Sequence, residues 1–167
     1  VALFRPQTAS TIENMTREGI DLVLTMDLSA SMLSRDFRPN RLESAKDVAM
    51  DFVDSRPFDR IGVVAYEGEA FTQVPITPDH IVVKNGLASL ETGQLQGGTA
   101  IGTGLAIAVN RLRESEAESK VIVLLTDGEN NAGQIEPMDA AQLATLNGIR
   151  VYTIGVGTVG KAKSPVA

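Results

Sequence analysis

The chain has 167 residues, enough for one domain with a full hydrophobic core, and it is 43% hydrophobic and 22% charged. It contains no cysteine, which excludes disulfides, thiolate metal sites and cysteine nucleophiles. A formal net charge of −6 disfavours binding to phosphate backbones, and aromatics at 4% leave Val, Ile, Leu and Ala to build the core.

Residues 1–18 read as a lead-in. Val1-Ala2-Leu3-Phe4 followed by Arg5-Pro6 looks like the exit of an apolar segment, so the chain is expected to follow a removed membrane segment. No apolar run in it approaches the roughly 18 residues that a membrane span needs. The first buried strand is expected over Ile20–Met26. A helix over Arg41–Asp54 follows, with Leu42, Ala45, Val48, Ala49, Phe52 and Val53 on one face and Asn40 as its N-cap.

Ile61–Tyr66 reads as a second strand. Glu67-Gly68-Glu69 turns it into Ala70–Ile76, whose Pro75 demotes that strand to a sheet edge. Helices are expected over Ile81–Leu90 and, with a stripe of Ile101, Leu105, Ala108, Val109 and Leu112, over Ala100–Glu114. Strand Val121–Leu125, helix Met138–Leu146 closed by Asn147-Gly148, and strand Val151–Ile154 complete the order. Alternating strands and helices imply an α/β fold: a doubly wound, mostly parallel open sheet with one antiparallel edge strand and helices on both faces. Residues 19–160 form the domain and 161–167 a tail.

In such a sheet, ligands bind beyond the carboxyl ends of the strands, where strand order reverses. Asp27-Leu28-Ser29-Ala30-Ser31 follows the first strand and Asp127 follows Val121–Leu125 and Thr126, while Gly97-Gly98-Thr99 precedes the long helix. A doubly wound order places Asp27 beside Asp127. Two carboxylates and three hydroxyls form a hard oxygen set, suited to Mg²⁺ or Mn²⁺ and wrong for zinc. The blander alternatives are a turn residue for Asp27, backbone capping for Ser29 and Ser31, and the N-cap of the following helix for Thr99.

This constellation resembles the metal-ion-dependent adhesion site (MIDAS) of the von Willebrand factor A family, D-x-S-x-S followed by a distant Thr and a distant Asp. Asp27, Ser29, Ser31, Thr99 and Asp127 match all five positions. The resemblance implies that the hydroxyls of Ser29 and Ser31 bind one divalent cation directly. Thr99 joins when ligand is bound, the carboxylates act mostly through water, and one position is left for an acidic side chain of a protein partner. Arg38-Pro39-Asn40-Arg41-Leu42-Glu43, Asp59-Arg60-Ile61-Gly62, Gly98–Gly102, Leu124–Asn130 and Tyr152–Gly157 are similar to the bacterial Bat (Bacteroides aerotolerance) branch.

That branch implies an inner-membrane protein with a periplasmic A domain. It also implies partnership with other Bat proteins or a MoxR-type AAA+ ATPase in a stress-related complex. The family fold continues to a final strand and helix, which the chain is expected to lack.

Other signals carry less. Gly155-Val156-Gly157-Thr158-Val159-Gly160 has the dinucleotide spacing but lacks the following helix and acidic residue, so no nucleotide is expected. His80, the single histidine, reads as a surface residue, and Glu114, Glu116 and Glu118 with Arg111 and Arg113 as a solvated helix end. Glu129 and Asn130 are candidates to orient water or to shape a partner's footprint. The competing function is a Mg²⁺-dependent phosphatase-like hydrolase with Asp27 as nucleophile. It would want a second Asp two residues on, where this chain has Ser29.

Overall fold

A computed structural model describes residues 19–35, 40–93, 97–128 and 135–156. The lead-in, the tail, Glu129, Asn130 and the end of the glycine-rich stretch lie outside the described residues. The elements are β1 (Asp21–Asp27), a 3₁₀ turn (Ala30–Leu33), α1 (Arg41–Asp54), β2 (Arg60–Tyr66), β3 (Ala70–Thr77), α2 (His80–Ala88), α3 (Ile101–Arg113), β4 (Lys120–Thr126), α4 (Pro137–Leu146) and β5 (Ile149–Gly155). They form one five-stranded sheet in the order β3-β2-β1-β4-β5. β1 pairs in parallel with β2 and β4, β4 pairs in parallel with β5, and only β2 and β3 are antiparallel. The expected fold class and order of elements along the chain hold, with β1 beside β4 as expected and element ends shifted by one or two residues.

β1 is buried throughout, and its apolar residues face the layers on both sides of the sheet. Leu22, Leu24 and Met26 point to one face, where Leu42, Ala45, Ala49 and Val53 of α1 and Val83 and Leu87 of α2 cover them. Val23 points to the other, under Ile101, Leu105, Ala108, Val109 and Leu112 of α3 and Ala140 and Ala144 of α4. Each fully buried Leu or Ile contributes roughly 1.5–3 kcal/mol of transfer free energy, so this double layer fixes the central strand firmly.

Local signals set the helix ends. The Asn40 side chain accepts from the Glu43 amide at 2.8 Å, as an N-cap should. The Asp79 side chain caps α2 through the Ile81 amide at 3.1 Å. Gly148 takes φ +70 after α4, a conformation that glycine adopts without strain. Pro75 lies exposed on β3, at the sheet edge.

Two expectations change. Val48, placed on the apolar face of α1, is 44% exposed. Lys46 is buried instead, running its stem along the core so that Nζ reaches the Ala88 carbonyl at 3.0 Å. His80 is also more than a surface residue, since its Nε2 lies 2.7 Å from the Asp59 carbonyl and ties α2 to the turn before β2.

Candidate metal centre

β1 runs up the middle of the sheet and ends at Asp27, opposite Tyr66 of β2. β2 lies on one side of it and β4 on the other, so the crevice between β1 and β4 is the switch point of the fold. Asp27 is fully buried there. Its Oδ1 accepts from the Ser29 amide at 2.8 Å and the Ser29 hydroxyl at 2.6 Å. Its Oδ2 accepts from the Thr126 hydroxyl at 2.7 Å. Burial pushes the Asp27 carboxyl above the usual carboxylate range, the bonds from Ser29 and Thr126 oppose this, and the nearby Asp127 charge adds to it.

The chain after Asp27 tightens into the 3₁₀ turn, with Met32 N on Ser29 O at 2.9 Å and the Met32 side chain buried as an anchor. This leaves the Ser29 and Ser31 hydroxyl oxygens 3.2 Å apart. The Ser31 hydroxyl donates to Asp127 Oδ1 at 2.9 Å, and Arg41 Nη1 donates to Asp127 Oδ2 at 2.7 Å. Each hydroxyl proton is committed to a carboxylate, Ser29 to Asp27 and Ser31 to Asp127, so the two hydroxyl oxygens face each other with lone pairs free.

Thr99 lies on the segment that leads into α3. Gly98 adopts φ +126, which a side chain would resist, and the Ala100 amide then donates to the Glu67 carbonyl at 2.6 Å. The buried Glu67 also accepts from the Gly93 amide at 2.8 Å, and so holds both ends of the segment that carries Thr99 against the end of β2. Thr99 is 7% exposed. It is not the N-cap of α3: Ala100 occupies that position, without a side-chain bond.

Below the site the Tyr66 ring is fully buried, and a Cβ on Gly104 of α3 would come within 2.7 Å of it. Burial first, and then the Asp27 charge, push the Tyr66 hydroxyl well above its ordinary range, so it stands as a neutral phenol. That hydroxyl has no well-formed hydrogen bond among the described residues.

The donor set can be tested against a hard cation. Oxygen ligands at 2.0–2.1 Å in octahedral geometry lie about 3.0 Å apart along an edge. The Ser29 and Ser31 oxygens, at 3.2 Å, are close to that spacing. Among the described residues no three His, Cys, Asp or Glu side chains cluster, and the five matched positions are two carboxylates and three hydroxyls.

Thr126, Arg41, Tyr66 and Glu67 were not singled out by sequence reasoning as site residues. Thr126 had a signal: pairing Met26 with Leu125 puts residue 126 beside Asp27. Arg41 and Glu67 had none, because their roles depend on loop paths.

A sequence model of the von Willebrand factor type A domain matches residues 22–129. The chain belongs to this family, in the branch of the Bacteroides aerotolerance proteins. A crystal structure of an aerotolerance-related membrane protein from Bacteroides fragilis superposes with a TM-score of 0.78 at 38% identity, over 83% of this chain and 68% of that one. An uncharacterized protein of Borreliella burgdorferi is 37% identical over 84% of this chain and 41% of its own length. The chain thus spans less than half of that relative.

Proximal thread matrix protein 1 from the mussel byssus, 28% identical with a TM-score of 0.74, covers 84% of this chain and 36% of its own. Its MIDAS is zinc-occupied. Hard oxygen donors therefore favour Mg²⁺ and Mn²⁺ without excluding zinc from a site of this kind. Among the described residues no helix is long and apolar enough to cross a membrane.

Proposed function

We propose that this domain is a metal-dependent protein-binding module, in which Asp27, Ser29, Ser31, Thr99 and Asp127 hold one divalent cation that captures a Glu or Asp side chain of a protein partner. The observation that carries the reading is that Asp27 and Asp127 take the hydroxyl protons of Ser29 and Ser31 and so set two lone-pair oxygens 3.2 Å apart, at the carboxyl ends of two adjacent central strands. Mg²⁺ or Mn²⁺ suits these oxygens best. A cation held mainly by neutral hydroxyls keeps most of its charge and so attracts an external carboxylate. The other oxygens do the holding: Asp27 orients Ser29 through both its amide and its hydroxyl, and Asp127 orients Ser31.

The site is built for binding rather than turnover. An Asp nucleophile needs an exposed lone pair, whereas Asp27 is fully buried and accepts three hydrogen bonds from within the protein. The membrane-protein relative supports association with a membrane; the Bat-type assembly and the periplasmic side of the domain belong to the proposal. The acidic partner is then another Bat protein or a component of a MoxR-type ATPase system.

Calorimetric titration of the metal-stripped domain with Mg²⁺, Mn²⁺ and Zn²⁺, alongside Asp127→Ala, tests the reading. One-to-one binding lost in the variant supports it. Hydrolysis of a generic phosphate ester with Mg²⁺, abolished by Asp27→Asn, would replace it with the hydrolase.

A further inference from the structure

Arg41 stands at the start of α1, directly after the Asn40 cap. Its backbone amide donates to the Ser34 carbonyl at 2.9 Å, which pins the residue beside the metal-site turn. The guanidinium reaches across to β4, where Nη1 lies 2.7 Å from Asp127 Oδ2. The Arg41 side chain is only 17% exposed and the Asp127 side chain 1%. With Ser31 on Oδ1 and Arg41 on Oδ2, both oxygens of Asp127 are engaged inside the protein.

We propose that Arg41 is a resident counter-ion of the cation site, competing with a divalent cation for Asp127; this rests on the metal-binding reading above. Two buried carboxylates, Asp27 and Asp127, converge on one turn, and without a positive charge beside them theirs would be uncompensated. The fixed guanidinium supplies one positive charge and keeps Asp127 aimed at Ser31, so the site is formed before metal arrives. A divalent cation drawing on the same carboxylate then meets a like charge held beside it, and either displaces Arg41 or binds against its repulsion. Affinity in the free domain is thereby held down. A partner carboxylate would relieve the repulsion by adding negative charge, which links cation occupancy to partner binding.

The test is Mg²⁺ titration of the metal-stripped chain, comparing wild type with Arg41→Gln and Arg41→Lys, and following the Mg²⁺-induced rise in Tm of each. Arg41→Gln should bind Mg²⁺ roughly tenfold more tightly, because it removes a like charge held close to the cation. It should also show a lower metal-free Tm and a larger Mg²⁺-induced rise. Arg41→Lys keeps the charge and should stay near wild type. Equal or weaker binding in Arg41→Gln, with the wild type binding, overturns the counter-ion role while leaving the metal site intact. So does equal tightening in Arg41→Lys, since charge is then not the cause. If neither wild type nor Arg41→Gln binds, the metal-site reading itself fails and the proposal with it. Should Arg41→Gln not fold without metal, rescue by Mg²⁺ supports the proposal and failure at saturating Mg²⁺ overturns it.

Discussion

Ser31 and Asp127 lie 96 positions apart in the chain, and the hydroxyl of one donates to the carboxylate of the other at 2.9 Å. That bond closes the turn after β1 onto the end of β4. The two strands are held in register by parallel pairing from Asp21↔Lys120 to Met26↔Leu125. The site is therefore a product of the sheet: a shift in register would carry Asp127 away from Ser31.

Ser29→Ala removes an oxygen that is both a candidate cation ligand and a donor to Asp27 at 2.6 Å. The amide of residue 29 still donates to Asp27, so the turn persists. The expected loss of stability is about 1.5–3 kcal/mol, that of one hydrogen bond to a charged group. Mg²⁺ affinity should fall by at least about tenfold, the lower bound known for groups that merely support a metal ligand. Calorimetry and thermal denaturation on the same sample separate the two effects. Unchanged affinity would remove Ser29 from the ligand set.

The fold was legible because its elements rest on local patterns, and the five matched residues stand out in the sequence for the same reason. The apolar runs are short and bounded, and D-x-S-x-S sits where a strand must end. The supporting residues were harder to read. Glu67 looks like one acid of a polar hairpin turn, yet it is buried and tethers the segment that carries Thr99. Arg41 looks like a first-turn helix residue, and nothing beside it in the sequence points to Asp127, 86 positions away. Val48 was misplaced because a helical wheel knows the period of a stripe but not its width, and Lys46 takes the buried side.

Thr126→Val tests the support that β4 gives to Asp27. The Thr126 hydroxyl donates to Asp27 Oδ2 at 2.7 Å and accepts from the Gly128 amide at 3.1 Å. Valine keeps the shape and removes both bonds, leaving a buried carboxylate oxygen with one donor fewer. Stability should drop by about 1.5–3 kcal/mol, the range for bonds to charged groups. Mg²⁺ affinity should fall about tenfold, as for other groups that orient a ligand. Thr126→Ser should restore both. A valine variant that binds Mg²⁺ like the wild type would make Thr126 a packing residue only.

Gly102→Ala sets helix propensity against packing. In an open helix the change is favourable by about 0.5–1 kcal/mol. Here a Cβ at residue 102 would overlap the backbone carbonyl of Ile135, which leads into α4. Backbone cannot rotate aside as a side chain can, so the collision should win by about 1–3 kcal/mol. Urea denaturation reads the sign directly. A variant as stable as the wild type would mean that the approach of α4 to α3 is looser than described.

Asp21 gives the fold a defined acid sensitivity, at the pole away from the metal site. Burial pushes its carboxyl up, but the hydrogen bonds from Arg60 and Ser115, with the charges of Arg60 and Lys120, outweigh this and hold it below the ordinary value of 3.8. The Arg60 bonds are 2.9 and 2.6 Å and the Ser115 bond 2.5 Å. A carboxylate depressed in the folded state contributes stability that is present above its unfolded pKa and lost as pH falls through the folded one. Asp21→Asn should therefore cost stability at pH 7, about 1–2 kcal/mol once the half-exposed Arg60 side chain is discounted for screening. The gap between wild type and variant should narrow below about pH 4, as the wild-type carboxylate takes up its proton. Asp27 and Asp59 shift the opposite way and cancel in the difference between the two proteins. Chemical denaturation from pH 7 to pH 3 measures that gap, and a constant difference across the range would show that the charge on Asp21 contributes nothing.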